Sequence, residues 1–125
     1  MKVLLIDDQE DVRRIVSLSL SRIGGLTVVE APDGEAGVTR ARQEAPDAIL
    51  LDAVMPGLDG RDTLAALLAD PRTRGIPVVV LSASDGEAAE LVRLGAVGRI
   101  AKPIDPLSFP ASLQEVLARA GAGKA

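Results

Sequence analysis

Four short polar signals stand directly after apolar runs. Asp7 and Asp8 follow Lys2–Ile6, Asp52 follows Ala48–Leu51, Ser82 and Ala83 follow Val78–Leu81, and Lys102 with Pro103 follows Arg99–Ala101. If these runs are strands of one parallel α/β sheet, their C-terminal ends share an edge. Three carboxylates, a hydroxyl and an ammonium then converge there. Carboxylates that close repel one another and keep their protons to higher pH unless a cation is present. Mg²⁺ suits such a site, because it takes a few hard oxygen ligands, keeps several waters and bridges readily to a phosphate. A carboxylate that attacks phosphorus becomes an acyl phosphate, and one metal ion plus one lysine can neutralise the charge that builds on the equatorial oxygens. The chemistry indicated is phosphoryl transfer at a divalent-cation site.

Each signal taken singly has a plainer reading. An Asp-Asp pair at a strand end can be a helix cap with an acidic first turn. Asp52 can be a surface loop acid, although an acid ending a fully apolar strand suffers desolvation unless it is paired, metal-bound or at the sheet edge. Ser82 can be the N-cap of the next helix, and Lys102-Pro103 a solvated turn. Only their joint placement selects the chemical reading.

The elements that must position these residues alternate strictly. After the first strand, Val12, Ile15, Val16, Leu20 and Ile23 recur at helical spacing, and Gly24-Gly25 is a stop signal. Thr27–Ala31 reads as a β-branched strand, Pro32-Asp33-Gly34 as a turn, and Glu35–Glu44 as a helix with a modest apolar face. Pro46-Asp47 precedes the third strand, which ends at Asp52. Met55–Gly60 is a loop, Thr63–Ala69 a helix closed by Asp70-Pro71, and Ile76–Leu81 a strand with Pro77 at its start. Helix Glu87–Leu94, strand Val97–Ala101 and helix Leu113–Ala120 complete the series, with Pro110 obscuring where the last helix begins. Continuous apolar runs such as Ile49–Leu51 and Val78–Leu81 predict strands covered on both faces. Five βα units with right-handed crossovers predict a three-layer α/β/α sandwich, and residues 121–125 read as a flexible C-terminal tail after a domain spanning 1–120.

Composition narrows the function classes. With 125 residues the chain makes one domain. Only one aromatic, Phe109, is present, so Val, Leu, Ile and Ala must build the core. The absence of cysteine removes disulfide and thiolate-metal chemistry. No charged leader or long apolar stretch is visible, which predicts neither signal peptide nor membrane span and makes the cytoplasm the default location. A net charge of -4 without a Lys/Arg block argues against nucleic acid as a direct partner. There is no histidine, so any phosphohistidine the chain uses must come from another protein.

The motif set Ile6–Asp8, Leu51–Pro56, Asp59-Gly60, Leu81–Ala83 and Ile100–Pro103 resembles the receiver domain of bacterial two-component response regulators, in the single-domain chemotaxis-regulator style, over the chain up to about Ala120. The resemblance implies a flavodoxin-like, doubly wound five-stranded parallel sheet, (βα)5, of strand order 2-1-3-4-5. By the same resemblance Asp52 is the phosphoacceptor. Asp8 binds Mg²⁺ directly and Asp7 mostly through water, while Val54 offers its backbone carbonyl. Lys102 grips the phosphoryl group, Ser82 moves toward it after phosphorylation, Ala83 supplies the small residue beside it, and the Lys102–Pro103 bond is cis.

The sequence departs from the family in places. Three residues before Lys102 the family usually carries Tyr or Phe, and here stands Arg99, so the aromatic relay cannot operate and switching falls to Ser82 and Arg99. Ile104 replaces a common Phe after Lys-Pro. Val54 and Ser84, at positions where family members tune dephosphorylation, offer no strong base to water, which predicts a phosphoryl lifetime longer than that of fast chemotaxis regulators. The implied function is a single-domain switch, not an enzyme with its own turnover substrate. It takes a phosphoryl group from a sensor histidine kinase or a histidine phosphotransfer protein and signals through the face formed by the fourth helix, fifth strand and fifth helix, as a monomer or a phosphorylation-dependent dimer. The main alternative is a phosphorylation-independent receiver-like interaction module, which often lacks one of the acids or the lysine. A haloacid-dehalogenase-like phosphohydrolase would need an acid at position 54, and a nucleotide-binding enzyme a glycine-rich phosphate loop that this sequence lacks.

Overall fold

The Val-, Leu- and Ile-rich runs pair into one parallel sheet of five strands in the order β2-β1-β3-β4-β5, as the resemblance implied. The computed structural model describes all residues except Pro56, Leu58, Lys124 and Ala125, and only the backbone of Ala122 and Gly123. The elements are β1 (Lys2–Ile6), α1 (Glu10–Leu18), continued by a π-helical turn over Ser19–Ile23, β2 (Thr27–Ala31), α2 (Gly34–Glu44), β3 (Ala48–Asp52), α3 (Gly60–Ala69), β4 (Val78–Ser82), α4 (Asp85–Leu94), β5 (Gly98–Ala101) and α5 (Phe109–Gly123). Pro56 of the Leu51–Pro56 motif lies outside the described residues.

Alternation along each strand divides the core into two layers. Leu4, Ile6, Ile49, Leu51, Val78 and Val80 face α2, α3 and α4 through Val38, Ala41, Leu64, Leu67 and Leu91. Val3, Leu5, Leu50, Val79 and Leu81 face α1 and α5 through Val16, Leu20, Phe109 and Leu113. The central strands β3 and β4 are buried along their whole length, which explains their unbroken apolar runs. Gly37 is required on α2 because a Cβ there would lie 2.4 Å from Cδ1 of Ile6 on β1. The helix therefore rests directly on the strand that delivers Asp7.

Several boundaries differ from the periodicity. Helix α4 starts at Asp85 because Ser84 is its N-cap, with Oγ accepting from the Glu87 N–H at 3.4 Å. Helix α5 starts at Phe109, which places Pro110 in the first turn, where no backbone donor is needed. It runs to Gly123, into the stretch read as a tail. Strand β4 begins at Val78, after Pro77, whose carbonyl accepts from Ile49. No helix among the described residues is long and apolar enough to cross a membrane.

Phe109 is 2% exposed and fills the layer between the sheet, α1 and α5. Truncation to Ala removes the only aromatic ring of the core, and urea denaturation of Phe109→Ala is expected to show a loss of about 3–5 kcal/mol.

Candidate functional site

Each chemically suggestive residue sits at or just past the C-terminal end of a strand, and the register of the sheet brings those ends together. Ile6 of β1 is level with Leu51 of β3, Asp52 with Leu81 of β4, and Ser82 with Ala101 of β5. Asp7 and Asp8 therefore leave β1 beside Asp52, and Lys102 leaves β5 beside Ser82. One carboxylate oxygen from each of Asp7, Asp8 and Asp52 lies within 4.8 Å of the others. The Lys102 ammonium is 3.2 Å from Oδ1 of Asp52 and 3.6 Å from Oδ2 of Asp7. The peptide bond between Lys102 and Pro103 is cis.

The plainer readings do not describe these residues. Helix α1 has Gln9 as its N-cap residue, with no side-chain cap, so neither aspartate caps it. Asp7 is wholly buried, its Oδ1 accepting from the Gln9 N–H at 2.9 Å, while Oδ2 is buried with no hydrogen-bond donor. Asp52 is the last residue of β3, buried, with a 3.4 Å contact from the Val54 N–H. Ser82 ends β4 and caps nothing. Its hydroxyl donates to the Ser84 carbonyl and accepts from the Ser84 N–H, both at 2.9 Å.

All of these groups but Asp7 open on a cleft of about 510 Å³ lined by Asp8, Gln9, Asp52, Ala53, Val54, Ser82, Ala83, Ser84, Glu87 and Lys102. Ala83 and Val54 are exposed at its mouth, so both positions leave room for an incoming group. Glu87 and Gln9, which line the same cleft, were not singled out by sequence. Glu87 carries only a helix first-turn signal. Arg99, the residue at the aromatic position, is bound to Asp85 and does not line the cleft.

Burial first, and for Asp52 the neighbouring Asp7 charge second, hold both carboxyls above the ordinary value of 3.8, with Lys102 pulling each of them down. A cluster of hard oxygens carrying more negative charge than one lysine compensates, with a buried acceptor lacking a donor, is a set that could hold a divalent cation.

Two supports of this edge are backbone-level. Arg13 donates to the Asp7 carbonyl at 2.7 Å and pairs with Glu30 at 3.4 Å, tying the β1–α1 loop to the end of β2. No local pattern in the sequence marks Arg13 for this contact. Gly60, at the start of α3, lies against the residue after Asp52, where a Cβ would be 2.5 Å from the Ala53 carbonyl oxygen.

Two outcomes follow from this geometry. Backbone cannot yield as a side chain does, so Gly60→Ala displaces Ala53 and Val54, and calorimetry is expected to show divalent-cation affinity reduced about tenfold. With raised carboxyls the folded protein binds more protons than the unfolded chain from the ordinary carboxylate range upward. In metal-free buffer stability therefore falls as pH rises through that window. Asp52→Asn is expected to reduce this fall and to melt above the wild type at pH 7, read as melting temperatures in chelator-treated buffer.

Comparison with known proteins agrees with the geometry. The profile of the response regulator receiver domain matches residues 3–114. Protein PilH of Pseudomonas aeruginosa is 34% identical over 119 residues, which cover 94% of this chain and 98% of PilH. The probable transcriptional regulator ycf27 of Guillardia theta is 36% identical over 121 residues, 94% of this chain but 46% of that protein, so the chain spans about half the length of such relatives. The solved structure of the chemotaxis protein CheY4 of Vibrio cholerae matches with a TM-score of 0.83 at 30% identity, covering 92% of this chain and 97% of that one. The sheet order, the acidic edge and the match over nearly the whole sequence agree, and this chain belongs to the response regulator receiver domains of two-component signalling.

Proposed function

We propose that the chain is a single-domain response regulator that accepts a phosphoryl group on Asp52 and switches protein–protein contacts. The observation that carries this reading is the Lys102 ammonium bridging the carboxylates of Asp52, which lines the cleft, and Asp7, buried behind it. Asp7, Asp8 and Asp52, with the backbone carbonyl of Val54, would hold Mg²⁺, which when bound supplies positive charge to the oxygens of the transferring group.

The remaining chemistry belongs to the chain. An oxygen of the Asp52 carboxylate attacks phosphorus, the P–N bond of a partner's phosphohistidine breaks, and the imidazole leaves with the bonding pair and takes up a proton. Any phosphohistidine donor is another protein, a sensor histidine kinase or a histidine phosphotransfer protein, because this chain contains no histidine. Lys102 then pairs with the phosphoryl oxygens in place of the bare carboxylate. Ala83 leaves room beside the group. Ser82 gives up its bonds to Ser84 and donates to a phosphoryl oxygen, which with Arg99 makes the switch. The readout is a downstream protein docking on the face of α4, β5 and α5, in the cytosol, with no nucleic acid contacted directly and no catalytic turnover of a diffusible substrate. PilH, matched over nearly its whole length, supports the single-domain form.

Incubation with acetyl phosphate and Mg²⁺ is expected to add one phosphoryl group in intact-mass spectra. Chelator, or the Asp52→Asn substitution, should abolish the adduct. An unmodified wild-type mass under the same conditions would instead favour the phosphorylation-independent interaction module.

A further inference from the structure

Arg99 occupies β5 opposite Val80 of β4, and its side chain lies across the start of α4. Its Nη1 is paired with the carboxylate of Asp85, the first residue of α4, and its Nη2 is 3.5 Å from the Ser82 carbonyl. That carbonyl also accepts from the Lys102 N–H at 3.0 Å. The Arg99 side chain is 26% exposed, whereas that of Asp85 is 92% exposed, so the pair has one partner largely in the protein and one in water. Nε of Arg99 is buried without a hydrogen-bond partner.

Between the two residues that Arg99 touches lie Ala83 and Ser84, the segment that holds the Ser82 hydroxyl in its present place. The single Ser82 hydroxyl hydrogen is given to the Ser84 carbonyl, so the hydroxyl cannot donate toward Asp52 without breaking that bond. Whatever restrains Ser84 and Asp85 thus restrains Ser82.

We infer that Arg99 is a positioning residue: with Asp85 it forms an ionic latch across the β4–α4 loop that holds the Ser82 hydroxyl off Asp52. The inference rests on the reading of Asp52 as phosphoacceptor and extends it to how the loop is restrained. A phosphoryl group on Asp52 draws the hydroxyl inward, the Ser82–Ser84 bonds break, and the Arg99–Asp85 pair is given up with them.

The energetics suit a switch. A pair with one fully solvated partner is weak and screened by salt, so it biases the loop by roughly two- to fivefold in equilibrium constant, which a bound phosphoryl group can override. The buried Nε without a partner lowers the cost of leaving the arrangement, since no hydrogen bond is lost there. The Arg61–Glu90 pair, 2.7 Å long, ties the middle of α4 to α3, so the latch governs the first turn of the helix and not the whole helix.

The test is amide chemical shifts of Ala83, Ser84 and Glu87, measured with and without beryllofluoride as a stand-in for the phosphoryl group, in wild type, Asp85→Asn, Arg99→Gln and the double variant. The wild type is expected to move to a saturated state on beryllofluoride. Without it, each single variant should lie part-way along that line, shifted by roughly two- to fivefold in the equilibrium, and the double variant no further than either single one. Raising NaCl from about 0.05 to 1 M should shift the wild type in the same sense and leave Asp85→Asn unmoved. A saturable wild type whose shifts and salt response match those of Asp85→Asn would overturn the latch and leave the phosphoacceptor reading standing. A wild type that does not respond to beryllofluoride would overturn that reading, and with it the latch as a phosphorylation-linked device.

Discussion

Like charges held together at the edge of an apolar sheet are the constraint from which the rest of this molecule follows. Asp7 and Asp52 are carried to neighbouring positions by β1 and β3, whose interior residues have no polar alternative to burial. The carboxylates cannot separate without breaking the sheet. Their repulsion and desolvation are offset in part by Lys102, delivered by β5 from the far side. A single ammonium does not balance three carboxylates, and the shortfall in positive charge fits the edge to a divalent cation and, on the proposed function, to a phosphoryl group.

The helices serve that edge from both faces. Gly37 lets α2 sit directly on Ile6, the residue before Asp7, and Gly60 lets α3 close against Ala53, the residue after Asp52. Arg13 holds the Asp7 carbonyl from α1. The Gly60 and Arg13 braces act on backbone beside a carboxylate and the Gly37 contact on the Ile6 side chain, none of them on the carboxylate itself. Asp52 thereby presents its carboxylate to the cleft with buried Asp7 behind it, an arrangement that suits the proposed transfer.

On the β4–α4 side the arrangement is looser. Ser82 is bound to its own loop, and the loop is restrained by side-chain contacts with partial solvent access, not by a packed core. On the proposed function, a braced Asp52 beside a hydroxyl bound only to its own loop is the combination that would let a local charge change alter a surface. With Arg99 at this position the proposed restraint is electrostatic and not one of packing, and would respond to ionic strength.

Residue order alone determined the alternation of strand and helix, because strands buried on both faces need unbroken apolar runs such as Val78–Leu81, and helices need the 3.6-residue spacing seen from Val12 to Ile23. It also determined which polar residues end the strands, and so Asp7, Asp8, Asp52, Ser82 and Lys102 could be named before any coordinates. Tertiary structure decided what periodicity cannot carry. Helix starts at Asp85 and Phe109 depended on the Ser84 cap and on Pro110 entering a first turn. The distances among the carboxylates depended on the parallel register, set by pairing between segments far apart in the chain. The partners of Arg13, Gly60 and Arg99 were invisible for the same reason. Each is a contact between elements, and no local pattern records which distant backbone atom or side chain a residue will meet once the sheet has closed.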